Sequence, residues 1–573
     1  MTHLALYLHT LRHLRPVQLR GQLLKRLPTV ARTRAPRRAP VVRAGLGPID
    51  SPTATRGLVS SDRRFTFLNI TSAAPAGQVD WAASGMSRLW RYNLHYFDYL
   101  LDDTLEDGFR AMLIDDWIVR NPPATADAWD AYPLSLRIVN WVKYFLARRG
   151  RAALPPAWLS SLYTQAAWLQ HNFEYHLLGN HLLKNAVALL FAGAFFDGAE
   201  PNTWLRRGWH CFAGQVREQF LGDGGHYERS PMYHALCLTD CLDVLSLTAL
   251  PPLAAIVPAD GGVRARIVSA AAFLRDICAP DGEIPLFNDA AFGIAPEPGA
   301  VIAYAQRVLR GEPRGELAPR PPRCELIDKS ESGYFGFRHG ADWLLIDCGP
   351  VGPDYQPGHA HCDTLSYELA LDGARLIVDS GVHDYEAGAR RLASRTTAGH
   401  NTVMIDGREQ SEIWGSFRVA RRARPVAALL QPQLAGCTFE GTHDGYRRLP
   451  GKPVHHRRIH YDGAGVIEVT DDITGRGRHQ AASRIRLAPG YTPDITGSYA
   501  AVSGPGGEPV ARIQFSDGAR PRLEDGWYFP RFGVQLACHV IVLEASRRLP
   551  LRLGYRIVKR DNSSRTAVGE REM

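Results

Sequence analysis

The sequence predicts an N-terminal α/α toroid followed by a C-terminal antiparallel β-sandwich. Three observations carry this. Between about residues 90 and 310, apolar side chains recur at helical spacing. Those stretches have similar lengths and are separated by breakers such as Pro122-Pro123, Pro155-Pro156, Asp223-Gly224-Gly225 and Pro251-Pro252. After a Pro/Arg-rich segment at 311–323, the apolar period changes to two.

Taken in order, residues 1–84 read as a basic arm and linker, 85–312 as the toroid, 313–323 as a second linker and 324–573 as the sandwich. The stretch 4–27 fits a basic amphipathic helix, packed either on the protein's own body or on a membrane surface. Residues 28–60 are rich in Arg, Pro and Gly and read as an extended arm; 64–84 read as short strands or loop. The segment 89–100 is dense in aromatics, which suits either a helix start packed into the core or a wall of rings for sugar faces. Helices are predicted at 131–148, 154–173, 181–196, 203–220, 232–250, 264–277 and 300–309. Many helices of like length, without a strict solenoid repeat, indicate a toroid. Strands are predicted at 332–338, 343–347, 402–405, 454–461, 465–471, 482–487, 510–515, 533–543 and 551–558. Regular short strands with turns indicate a sandwich. The end, 560–573, is polar and expected to fray.

A chain of 573 residues exceeds one core, so several domains are expected. Hydrophobic residues make up 45% and charged residues 22%, which suits a globular protein. The net charge of +9 favours an acidic partner. Its spread along the chain, with no matching motif, argues against nucleic acid. Nine cysteines without CxxC pairs argue against a disulfide framework or a zinc knuckle. The first residues show no apolar core or cleavage site of a signal peptide, so a cytoplasmic location is expected. A periplasmic one follows only from another export route or a misassigned start.

Two stretches carry chemistry. The first runs through Gly358-His359-Ala360-His361-Cys362-Asp363 to Gly399-His400-Asn401. His359 and His361, two apart, are expected on one side of a strand edge. Asp372-Gly373 between apolar runs predicts a hairpin returning Asp379 beside them. His361, Asp379 and His400 then suit a borderline metal such as zinc, with one position left open. In a chain with 21 His, a chance surface pair is the plain alternative.

The second lies in the helical half. Asn180 and His181 stand at a helix start, where Asn180 also suits an ordinary N-cap. Ser230-Pro231 opens another helix, with Tyr233 in its first turn. Arg229 is placed to lower the Tyr233 pKa, giving an acid/base pair; a half-buried structural Tyr is the alternative. An amide, imidazoles and a phenol suit β-elimination across a uronic acid, where the carboxylate must be neutralised before the C5 proton leaves.

The motifs GNHLLKN, DGGHYERSPMYH, GHAHCDTLSYEL, LIVDSG and AGHNTV resemble, in order, those of the heparinase II/III-like polysaccharide lyases. The resemblance spans about residues 85–560 and implies a toroid and a sandwich with the active site between them. It implies that Asn180 neutralises charge, assisted by His181, and that Tyr233 with supporting Arg229 and His359 is catalytic. It implies zinc held by His361, Asp379 and His400, mainly organising the site. Glu228, Tyr355 and Asn401 are implied neighbours. An Asn at 180 resembles the heparinase III or alginate lyase branch. The implied substrate is an anionic, uronic-acid-containing polysaccharide. The segment YNLHYFDYL resembles members associated with capsule or exopolysaccharide machinery. The competing readings are a glycan-binding accessory protein of polymer assembly and a glycoside hydrolase using Asp223 and Glu228.

Overall fold

Helices form where apolar periodicity and start signals coincide. This computed structural model describes residues 3–26, 36, 39–52, 57–60, 62–73, 79–149, 153–311, 317 and 319–560. The helical domain contains Arg88–Tyr96, Asp107–Arg120, Ala131–Arg149, Pro156–Leu169, Gly179–Phe195, Ala199–Gln219, Pro231–Thr248, Gly261–Ile277 and Pro298–Val308. Ser230 caps the Pro231–Thr248 helix, its Oγ accepting from the Tyr233 N–H at 3.2 Å. The Gly179–Phe195 helix lies at the centre and is buried on almost every side. It approaches Ala199–Gln219 closely because two glycines permit it. A Cβ on Gly193 would lie 2.3 Å from Leu205 N, and one on Gly208 would lie 2.6 Å from Leu190 N.

Apart from half-buried Tyr92, the aromatics of 89–100 are core. Trp90, Tyr96, Phe97 and Tyr99 are buried, and Phe97 packs against Trp81, Trp117 and Trp141. The sugar-wall reading is therefore replaced by packing.

The N-terminal stretch is two helices, His3–Leu11 and Pro16–Arg26, because Pro16 cannot continue a helix. They dock on the protein's own body. Trp414 Nε1 donates to Thr10 Oγ1 at 3.1 Å, and Gln18 Nε2 donates to the Tyr355 carbonyl at 3.0 Å. Tyr355 is thereby a strut for this hairpin; the Arg15 guanidinium covers its ring at 3.6 Å and its hydroxyl donates to Glu218. Residues 1–84 hold more than an arm. Val41–Val42 pairs with Phe196–Asp197, and Arg64–Phe67 pairs with Ile70–Ala73. Much of the expected arm, most of the 313–323 linker and the end beyond 560 lie outside the described residues. No described helix is long and apolar enough to cross a membrane.

The β-domain is built from antiparallel sheets. One of five strands runs Glu325–Lys329, Tyr334–His339, Asp342–Asp347, Ser366–Leu371, Ala374–Ile377 in spatial order. One of four joins Val403–Ile405, Arg478–Arg486, Leu536–Arg548 and Arg520–Tyr528. An eight-stranded sheet includes Cys437–His443, Val454–Tyr461, Val466–Thr474 and Leu551–Lys559. The Ile377–Leu487 bridge links the smaller two. The five-stranded sheet packs on the eight-stranded one through Phe337 stacked on Tyr461 at 4.1 Å and Phe335 on Phe439. The predicted Asp372-Gly373 hairpin forms, with Leu371 opposite Ala374. Strands Pro425–Pro432, Cys437–His443, Thr492–Thr496, Tyr499–Ser503 and Arg520–Tyr528 were not anticipated.

A buried ion pair buttresses the domain. Arg457 forks onto Asp471 at 2.7 and 2.9 Å and donates to the carbonyls of Leu365 and Asn401. Burial alone would raise the Asp471 pKa, but Arg457 and then His455 hold it well below the carboxylate range. The unfolded state, with an ordinary Asp pKa near ~3.9, takes up the proton first. Stability from this group is therefore present above about pH 4 and lost as pH falls below it. Thermal melts should show that acid limb, flattened in Asp471→Asn. That variant should also lose about 3–5 kcal/mol at neutral pH, because Arg457 is left buried without its partner.

Candidate active site

A loop of the helical domain meets a loop of the β-domain, and Asp289 joins them. Past the Gly261–Ile277 helix the chain reaches Asn288, held in a left-handed conformation (φ 58°). The Asn288 side chain donates to the Arg229 carbonyl at 2.9 Å and accepts from the His361 N–H at 3.0 Å. Its backbone N–H donates to Asp363 Oδ2 at 3.0 Å. Asp289, wholly buried, accepts from His359 Nδ1 at 2.9 Å and from His361 Nε2 at 2.8 Å. Arg391 forks onto both of its oxygens. Burial opposes ionisation of Asp289, but Arg391 and the two imidazoles hold its pKa well below the usual range.

His359 and His361 therefore lie in a loop, not on a strand edge as expected. Their backbone groups are taken by the facing segment: Asp289 N–H donates to the His359 carbonyl, and His361 N–H donates to Asn288 Oδ1. No ladder is left for a strand there. The two imidazoles still converge, because both bind one carboxylate.

The Tyr233 ring lies on the His359 ring with centroids 3.9 Å apart. The Tyr233 hydroxyl is 3.2 Å from that of Tyr385, whose ring is covered by Arg391 at 4.9 Å. Burial, then Tyr385, Asp289 and Glu228, raises the Tyr233 pKa well above the phenol value. This corrects the expectation that Arg229 lowers it. Arg229 (φ 57°) points away, donating to the carbonyls of Ser332 at 3.0 Å and Tyr227 at 2.9 Å. It ties the two domains together and leaves the phenol protonated.

Asn180 is not an N-cap; the helix begins one residue earlier, at Gly179. The Glu228 carboxylate does the capping, accepting from the Asn180 backbone N–H at 2.8 Å and from Asn180 Nδ2 at 3.0 Å. Glu228 Oε2 lies 3.6 Å from His359 Nε2, so Asn180, Glu228, His359 and Tyr233 form one group. Asn180 Oδ1 is buried without a partner among the described residues. His181 adjoins Tyr132, with ring centroids 4.5 Å apart, and its Nδ1 is 3.2 Å from Glu174. Burial alone would lower the His181 pKa, but Glu174 and then Glu228 raise it, favouring a cation.

A second group lies behind Asp289. His361, Asp363 and His400 each offer a donor atom, all within 4.8 Å of one another. Two orphaned nitrogens mark it: His361 Nδ1 and His400 Nε2 are buried with no partner among the described residues. Their other nitrogens are fixed, His361 Nε2 on Asp289 and His400 Nδ1 on Asp379 Oδ2 at 2.8 Å. That is how metal-binding imidazoles are oriented. Burial lowers the His361 pKa to about 3, so the ring is neutral. Burial likewise pushes Asp363 up to about 6, a carboxylate that a neighbouring cation would relieve. The donor set fits a divalent metal. The geometry differs from the expected set: Asp363 offers the third clustered donor atom, while Asp379 accepts from the far nitrogen of His400.

Sequence reasoning missed Asn288, Asp289, Asp363, Tyr385 and Arg391 as site residues. The polar Asn288-Asp289 pair in an otherwise apolar run was the available signal for two of them. Asn401 is a buttress, its amide donating to the Tyr367 and Val378 carbonyls.

Residues 101–295 match the heparinase II/III N-terminus, and residues 322–565 match the heparinase II/III-like C-terminal domain. A heparin-sulfate lyase of Bacteroides stercoris is 23% identical over 408 residues, covering 63% of this chain and 57% of its own. FtsZ-localized protein C of Caulobacter vibrioides is 26% identical over 406 residues, covering 68% and 65% respectively. The chain thus spans little more than half of the first relative. A crystal structure of heparinase III superposes with a TM-score of 0.69 at 18% identity, covering 86% of this chain and 81% of that one. At that identity the likeness is one of fold. With both family segments matched in order, this chain belongs to the heparinase II/III-like family.

Proposed function

We propose that the protein is a polysaccharide lyase that cleaves an anionic, uronic-acid-containing glycan by β-elimination. The observation that carries this reading is Tyr233 stacked on His359, whose second nitrogen is held by buried Asp289. With Nδ1 donating to Asp289, His359 presents Nε2 as a proton acceptor for C5. Tyr233, kept protonated, gives its proton to the O4 leaving oxygen. The C5–H electrons become the C4–C5 double bond as the C4–O bond breaks. Asn180 and His181, whose pKa Glu174 raises, offset the charge that grows on the substrate carboxylate. The net charge of +9 draws the polyanion in.

Zinc is the metal proposed for His361, His400 and Asp363, all oxygen and nitrogen donors. When bound, it would fix the loop that carries His359. Purified protein should hold about one divalent ion per chain, measured by elemental analysis. His400→Ala should abolish that binding and lower the melting temperature by several degrees.

A role on the cell's own exopolysaccharide rests on the YNLHYFDYL resemblance. The glycoside-hydrolase reading is disfavoured because its carboxylates are occupied. Asp223 accepts from the Ser332 N–H at 2.7 Å, and Glu228 caps a helix. The deciding experiment follows ultraviolet absorbance of the unsaturated uronate on heparan sulfate, alginate, hyaluronan and the host exopolysaccharide. A rise on one polymer supports the lyase. Binding without a rise on any would favour an accessory glycan-binding protein.

A further inference from the structure

A pocket of about 190 Å³ lies where the N-terminal helical hairpin meets the β-domain, away from the Tyr233–His359 group. Five of its lining residues are arginines, and His13 and Asp444 join them. Most of this charge is engaged. Arg421 Nε donates to Glu412 at 2.7 Å, and Arg448 donates to the Gln410 carbonyl at 2.9 Å. Asp444 accepts from the Arg424 backbone N–H at 2.8 Å.

Arg422 differs. Its side chain is only 4% exposed, and Nη1 donates to Asp354 Oδ1 at 2.7 Å. Nε and Nη2 are buried and have no acceptor among the described residues. A guanidinium out of water with two donors unmet is costly, and an oxyanion meets both at once in the fork geometry that Arg favours. Arg12 and Arg424 line the same pocket, and the Arg424 side chain, 59% exposed, stands 3.6 Å from Asp354. Counting Asp354, Asp444 and Glu412, five cations face three carboxylates. Burial, and then Arg422, lowers the His13 pKa, against the opposing pull of Asp354.

We infer that this pocket is an oxyanion subsite, in which Arg422, with Arg12 and Arg424, grips a carboxylate or sulfate group of an anionic saccharide chain. The source of the oxyanion rests on the proposed glycan substrate; the oxyanion chemistry does not. Asp354 lies in the same loop as His359. A chain held here is therefore anchored against the loop that presents the base.

Isothermal calorimetry on the full chain tests this, using inorganic sulfate in one arm and a heparan-sulfate tetrasaccharide in the other. Tyr233→Phe serves as the background, so turnover does not intrude. Arg422→Gln should weaken both probes by about tenfold or more, and Arg12→Gln/Arg424→Gln by about threefold. The double variant alters exposed side chains and decides the matter if Arg422→Gln fails to fold. Equal affinity in the parent and both variants, or no binding of either probe, overturns the proposal. Sulfate binding without saccharide binding overturns the saccharide source. Because binding is read separately from absorbance, absence of lyase activity leaves the subsite standing, and loss of the subsite leaves the lyase standing.

Discussion

Asp289→Asn should cut turnover by about 10³–10⁴-fold, with the Michaelis constant changed far less. The carboxylate fixes two imidazoles at once, His359 through Nδ1 and His361 through Nε2. An amide cannot accept from both rings and from the Arg391 fork. Its NH2 would face a ring nitrogen and turn His359 into the wrong tautomer, so that Nε2 carries the proton instead of accepting one. The same change frees His361 and loosens the metal cluster behind it. Arg391 is left buried with an uncharged partner, so about 3–5 kcal/mol of stability should go as well. Circular-dichroism melts, metal content and steady-state kinetics separate these effects. A variant that folds, keeps its metal and retains near-full turnover would overturn the orienting role of Asp289.

Tyr233→Phe should lower turnover by about 10²–10⁴-fold, while saccharide affinity holds within about threefold. In the proposed mechanism the phenol is the proton donor, and Phe keeps the ring that lies on His359. The lost hydroxyl bonds to Tyr385 at 3.2 Å, so the stability cost should be about 1 kcal/mol. Tyr385→Phe is the informative companion. It leaves the donor in place and removes only its neighbour, so its loss should be much smaller. Absorbance assays on the cleaved polymer give both values. If the two variants lose activity equally, the donor assignment to Tyr233 fails.

How far the sequence reached depends on the range of the interactions involved. Helix and strand identity is local: the 3.6-residue period through 90–310 and Pro231 behind Ser230 place elements that the structure keeps. The Asp372-Gly373 turn is equally local, because its two residues set the register of Leu371 against Ala374. That His361 and His400, and Tyr233 and His359, belong to one site was legible through the motifs around them, and the structure brings each pair together. Edge strands such as Pro425–Pro432 were not, since their outward faces carry no alternation to read.

Charge partners were decided by tertiary structure alone. Arg229 precedes Tyr233 by one helical turn in sequence, yet its left-handed backbone sends the guanidinium to Ser332 and Glu331 in the other domain. Asp363 and Asp379 flank the hairpin of Ser366–Leu371 and Ala374–Ile377, and only the orientation of the His400 ring assigns one to the donor cluster and the other to Nδ1. Asp289 lies 70 residues from His359, and no local pattern joins them. The sequence by itself determined the order of helical and β domains, most of the helices, many of the strands and part of the site, Asn180, His181, Tyr233, His359, His361 and His400 among it. The tertiary structure decided which carboxylate meets which imidazole, because a hydrogen bond formed in a buried junction depends on the distance and angle between loops, and chain spacing encodes neither.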